Sequence, residues 1–270
     1  MRPSNAYQAG TEVADRFIAS YAQHLVERAE RSTTKAIGSY AVVTTPRVGS
    51  TYLCRCLEDT VALGWPLEWF NGRYIDAVLK TVNRSMSFED YVDLITRGSV
   101  TDNGIFGVHF HVSQYAELRK KGGDLRKLGF TKIYWLERRD KIAQAYSCVK
   151  GQKTDLWSRE AEIAAGHADG IVVEIAPDEV AKEIAVNRAH VELYKRDFSA
   201  LVDREYFYED LIQDAFEGVV RDVLADFRAT PARACARGVT ERQSKEHDRQ
   251  ACNALRGLLS GEYAVETSVA

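Results

Sequence analysis

Apolar positions recur along this chain in two periods, and the switches between them mark out its elements. Near the start, Val13, Phe17, Tyr21 and Leu25 repeat every four residues with charges between them. That spacing places them on one helical face, so residues 6–31 are predicted to form an amphipathic helix lying on a larger body. The run SYAVVT (39–44) is short and β-branched, as in a buried strand. It passes through TPRVGS into STYLCRCLEDTVAL, where Leu53, Leu57 and Val61 return to helical spacing, and Gly64-Trp65-Pro66 is expected to end that helix. LEWFN then reads as aromatic and irregular. In SFEDYVDLITRG, Ser87 is an N-cap with Asp90 three residues on, and Gly98 is the stop.

IFGVHFH (105–111) and TKIYWLER (131–138) are predicted as the second and third strands, with a helix in RDKIAQAYSCVKG. A long polar helix is expected over 177–199, a short strand with a helix start in EYFYEDL, and an amphipathic helix over 214–227. RGVTERQSKEHDRQ is read as an extended polar segment leading into a last helix. Strands alternating with helices indicate an α/β class with a mainly parallel sheet flanked by helices. No repeat or low-complexity linker divides the 270 residues, so a single domain over 1–270 with helical insertions is expected.

Charge narrows the function. Lys and Arg number 36 against 39 Asp and Glu, a formal charge of −3 that argues against a general binder of nucleic acid or anionic membrane. An anion would have to be held at a local pocket. Five cysteines (Cys54, Cys56, Cys148, Cys235 and Cys252) show no zinc spacing and read as small buried thiols of a reduced compartment. No signal-peptide core and no apolar run near the ~18 residues of a membrane span stands out, so a cytoplasmic protein with no transmembrane segment is expected.

Two segments carry candidate chemistry. The first is TTPRVGST (44–51), between a buried strand and a helix. A helix N-terminus there presents unpaired amides to an anion, Gly49 allows close approach, and Ser50 and Thr51 add hydroxyl donors. Arg47 adds a fork of donors suited to a tetrahedral oxyanion. Against the triphosphatase pattern G-x-x-x-x-G-K-[ST], Thr44 stands at the first glycine and Ser50 at the lysine, so an ATPase or kinase loses its main support. The second segment is LERRDKIAQAYSCVKG, with Arg138 at a strand end and Ser147 two and a half helical turns on. Ligands of open α/β sheets gather at such carboxyl ends, so both segments can serve one ligand with phosphoryl-like groups at two places.

Together TTPRVGSTYL and RRDKIAQAYS resemble the 5′-phosphosulfate loop and 3′-phosphate motif of sulfotransferases. The order P-R-x-G-S-T-x-L-C, P-x-E-x-F, then R-x-D-x-x-x-Q-A-x-S and a Trp is similar to the bacterial trehalose 2-sulfotransferase family. The resemblance runs over about 39–157, with weaker echoes in YEDL and ERQS. It implies a P-loop-like sulfotransferase fold, 3′-phosphoadenylyl sulfate (PAPS) as donor, no metal, and a homodimer. By position, Arg47, Gly49, Ser50 and Thr51 would hold the 5′-phosphosulfate, Arg138 and Ser147 the 3′-phosphate, and Glu68 would be the general base. Arg242 and Gln243 match a late Arg-Gln pair loosely. His109 stands where the family often has lysine, which leaves the base open between Glu68 and His109.

The family analogy favours a carbohydrate or glycolipid acceptor, for which Trp65, Trp69, Phe70 and Tyr74 could supply either stacking surface or packing. The alternatives are a non-catalytic adenine-nucleotide-binding module and a P-loop-type nucleotide kinase.

Overall fold

A computed structural model of the chain describes residues 5–120, 124–233 and 245–259. In order these form α1 (Asn5–Arg31), β1 (Gly38–Thr44), α2 (Ser50–Asp59), α3 (Gly72–Val82), α4 (Phe88–Ser99), β2 (Ile105–His111), α5 (Val112–Lys120) and β3 (Lys132–Glu137). Then come α6 (Lys141–Thr154), α7 (Arg159–Ala164), α8 (Pro177–Asp197), β4 (Arg204–Phe207), α9 (Tyr208–Leu211), α10 (Glu217–Asp226) and α11 (Glu246–Leu259). Arg242, Gln243 and Cys235 lie outside the described residues. No helix among those described is long and apolar enough to cross a membrane.

The four strands are all parallel and run β2-β1-β3-β4 across the sheet. Side-chain alternation divides them between two cores. Ala41, Val43, Val108, Phe110, Ile133 and Trp135 face one way and join apolar residues of α1, α3 and α4. Tyr40, Val42, Tyr134 and Leu136 face the other way and join residues of α2 and α10. Both faces are therefore covered, which is why these strands read as continuous apolar runs. The strand order reverses at β1, so the crevice at its carboxyl end is the expected place for a ligand.

Three departures from the sequence expectation have local causes. The helix after the first loop ends at Asp59, before the Gly-Trp-Pro stop, where the Thr60 hydroxyl donates to the Leu57 carbonyl (2.6 Å) and Val61 turns to φ 57°. Asn71 ends the irregular segment by capping α3, its side chain accepting from the Arg73 amide at 3.1 Å. The helix anticipated from 214 begins at Glu217, because Ala215 and Phe216 adopt φ 53° and 66°. Trp65, Trp69 and Phe70 are core residues and supply packing, whereas Tyr74 lines a cavity.

Candidate active site

At the carboxyl ends of the strands lies a cavity of about 1040 Å³, the upper end of the usual size for a small-molecule site. Arg47, Gly49, Ser50, Thr51, Glu68, His109, Arg138 and Ser147 all line it. The residues singled out in sequence thus meet in one place.

The loop leaving β1 is shaped by two left-handed residues. Arg47 has φ 66° and Gly49 φ 84°. A Cβ on Gly49 would lie 2.7 Å from the Tyr208 ring, so both conformation and space require glycine. Gly49 is also the N-cap of α2 and has no side chain to cap it, leaving first-turn amides for another acceptor. The α6 face opposite holds the loop in place. Asp140 caps α6 by accepting from the Ala143 amide (3.0 Å), and Gln144, four residues on, donates to Thr45 Oγ1 (2.8 Å) and the Pro46 carbonyl (2.7 Å). Ser147 completes that face by accepting from Arg47 Nε at 2.8 Å.

Arg47 also donates to the Trp157 carbonyl and lies 6.0 Å from that indole's centroid. Arg138 donates from Nη1 to the Arg47 carbonyl (3.2 Å) and sits over the Tyr208 ring at 4.8 Å. Its buried Nε has no partner among the described residues, and no carboxylate pairs with it there. Burial lowers the Arg47 pKa, and the charge of Arg138 acts in the same sense against opposition from Cys148. Two guanidiniums lining one cavity repel each other, a cost that an anion between them would recover. Elsewhere in the cavity Lys150 pairs with Asp248 (3.1 Å), Arg73 with Asp155 (2.8 Å) and Arg55 with Glu58 (2.8 Å).

Glu68 sits on the other side. The Leu67 carbonyl accepts from the His109 amide at 3.1 Å, which fixes this segment to the edge of β2. Glu68 Oε2 accepts from Asn71 Nδ2 (3.0 Å) and Gln114 Nε2 (2.8 Å), while Oε1 lies 3.5 Å from His111 Nε2 and 3.9 Å from His109 Nδ1. Burial pushes this carboxyl up, but the charge and hydrogen bond of His111, with His109 and Asn71, outweigh it and hold the group well below the usual carboxylate range. Burial pushes His109 down to about 3, with His111 adding to the effect and Glu68 opposing it, so the ring is neutral near pH 7.

Several partners were not singled out in the sequence. Asn71, His111, Gln114 and Gln144 take their places only once helix and strand register are known. The HFH alternation did place His111 on the face of His109, the one signal that pointed to it.

Residues 39–256 match the model of the Stf0 sulphotransferase family. Among solved structures, a sulfotransferase from Alicyclobacillus acidocaldarius aligns over 83% of this chain and 96% of its own, with 13% identity and a TM-score of 0.41. No curated protein matches.

Proposed function

The chain belongs to the Stf0 sulphotransferase family, and on that premise we propose that it moves a sulfuryl group from PAPS to a carbohydrate hydroxyl. The observation that carries the reading is the unpartnered buried Nε of Arg138, set beside Arg47 and a helix N-terminus with no side-chain cap in a cavity that also holds a carboxylate. The orphaned Nε of Arg138 and a helix N-terminus with no side-chain cap suit an anionic donor with phosphate at two places. PAPS, when bound, supplies an activated sulfuryl group on a phosphate leaving group.

Arg47, the α2 amides, Ser50 and Thr51 would hold the phosphosulfate end, and Arg138 with Ser147 the 3′-phosphate. The Arg47–Ser147 hydrogen bond makes the two subsites neighbours. Glu68 is the general base, its Oε1 free of amide donors and its Oε2 fixed by two. A positioned base contributes roughly 10²–10⁴-fold. His109, deeply buried and neutral, serves better as a fixed neighbour of Glu68 than as the group that meets the acceptor. For the acceptor, Tyr74 and the α1 residues Phe17, Ile18 and Tyr21 supply an aromatic and apolar wall on which a sugar ring can lie.

Release of adenosine 3′,5′-bisphosphate from PAPS, with and without added carbohydrate acceptors, tests the reading. Acceptor-dependent release supports it. Binding without release would make the chain a nucleotide-binding module, and phosphoryl transfer from ATP without use of PAPS would make it a kinase.

A further inference from the structure

Thr44 ends β1 and is fully buried, in register with His111 on β2. Its one hydroxyl lies 3.0 Å from His109 Nε2 and 2.8 Å from His111 Nδ1. The far nitrogens of the same two rings both face Glu68 Oε1, His111 at 3.5 Å and His109 at 3.9 Å. The four side chains close a ring: carboxylate, imidazole, hydroxyl, imidazole.

A hydroxyl has one proton to give. When both imidazoles are neutral and both bond to Thr44, they cannot both accept from it, and were both to donate, both would turn lone pairs on the Glu68 carboxylate; one therefore donates to the hydroxyl and the other accepts from it. If His109 donates from Nε2, its Nδ1 turns a lone pair toward Glu68, while His111 turns an Nε2–H. If His111 donates from Nδ1, the roles exchange. In either direction Oε1 meets one N–H and one lone pair, so a proton landing on Glu68 always has an imidazole ready to take it.

We infer that Thr44 and His111 complete the proton path of this site: Thr44 forces the two rings into the same tautomer, so that one N–H and one lone pair face Glu68, and His111 takes from Glu68 the proton removed from the acceptor. The inference rests on Glu68 as the base in sulfuryl transfer. The acceptor O–H bond breaks and its electron pair stays on oxygen, which uses it to bond sulfur as the sulfur–phosphate bond gives its pair to the leaving phosphate. The proton forms O–H on Glu68 Oε1, and that bond breaks as N–H forms on the facing imidazole. Where that imidazole is His109, its Nε2 proton moves to Thr44 and the Thr44 proton to His111 Nδ1. Both routes end with Glu68 as carboxylate and His111 as imidazolium.

His111 is the better final holder because its side chain is 15% exposed against 3% for His109, and burial penalises charge on the latter. Cys54 and Tyr74 also couple to Glu68, but burial pushes both pKa values up, so neither takes part near neutral pH. Thr44 and His111 act through Glu68 and are positioning and proton-holding residues.

Nitrogen-15 NMR of the histidines in the resting full-length protein, at about pH 8 where free imidazole is neutral, reads the tautomers without turnover. Opposite protonation of the nitrogens facing Glu68 is expected, and Thr44→Val should abolish that correlation. Unlike tautomers in the parent protein, one ring carrying Nδ1–H and the other Nε2–H, or an unchanged pattern in Thr44→Val, would overturn the inference. Single-turnover transfer with bound PAPS gives the second readout. Thr44→Val should be slower by about ten-fold or more with donor affinity retained, and Thr44→Ser should recover most of the loss. A rate in Thr44→Val equal to the parent, or a Thr44→Ser rate as low as Thr44→Val, contradicts it. If the parent protein transfers to no acceptor, the sulfuryl reading fails by itself, and the tautomer measurement still decides the part of Thr44.

Discussion

At Glu68, burial favours the neutral acid while two imidazoles and two amides favour the carboxylate, and the second set wins. Its Oε1 faces His109 and His111, and in the proposed function the carboxylate would take the acceptor's proton. Glu68→Gln keeps size and polarity but removes the base, so single-turnover transfer should fall about 10²-fold or more with PAPS affinity little changed. Undiminished transfer in that variant would remove Glu68 from the chemistry.

His109 supplies a pH signature. Its folded pKa lies near 3, below the roughly 6.5 of an unfolded histidine. Between those values the unfolded chain binds the extra proton, so stability is whole above about pH 6.5 and declines as pH falls toward 3. The unfolding free energy from urea melts should drop between pH 7 and pH 5, by up to about 2 kcal/mol from this residue, and His109→Gln should flatten that slope. An unchanged slope in the variant would show that the ring is not held neutral.

Single elements explain why some of the site could be read directly and some could not. The strand, the Pro-Arg-x-Gly-Ser loop and α2 are contiguous, so their periods and turn residues signal one another, and the limits of β1 and the start of α2 were nearly those expected. The second motif was equally local, and its spacing has a mechanical reason: Asp140, Gln144 and Ser147 lie on one face of α6 and clamp the loop. By contrast α3 and α5 start from Asn71 and Val112 in segments whose aromatic and polar residues mask helical spacing. Gly49→Ala should be costly at this scale. A Cβ at φ 84°, 2.7 Å from Tyr208, should lower stability by about 1–3 kcal/mol and weaken nucleotide binding, as read by urea melts and calorimetry. A variant as stable and as tight as the parent would show that the loop tolerates another shape.

The largest scale is the least legible from one dimension. Arg47 and Ser147 are a hundred positions apart and meet because β1 and β3 are neighbours in the sheet. Thr44 and His111 meet through the register of β1 with β2, which no local pattern encodes. The amphipathic face of α1 was foreseen as a docking face, and it does bury Leu25 and Ala29 in the core. Its edge does something else: Ala14, Phe17, Ile18 and Tyr21 line the cavity, although α1 lies outside the span matched to the family. Arg73 ties that helix down by reaching Asp15 and Asp155, each at 2.8 Å. Ile18→Asp should raise the acceptor KM about ten-fold, for one buried apolar contact exchanged for a charge, while PAPS affinity holds. An unaltered acceptor KM would remove α1 from acceptor recognition.

The small net negative charge is compatible with the proposed function, in which Arg47 and Arg138 inside the cavity would hold the anionic donor. The most direct measurement is transfer of radiolabelled sulfate from PAPS to a panel of carbohydrate acceptors, run beside Arg47→Ala and Arg138→Ala. The account predicts label in at least one glycan with the parent protein, matched by release of adenosine 3′,5′-bisphosphate, and transfer reduced at least about a hundred-fold by each substitution. PAPS that neither binds nor donates label to any acceptor, or transfer indifferent to both arginines, would contradict it.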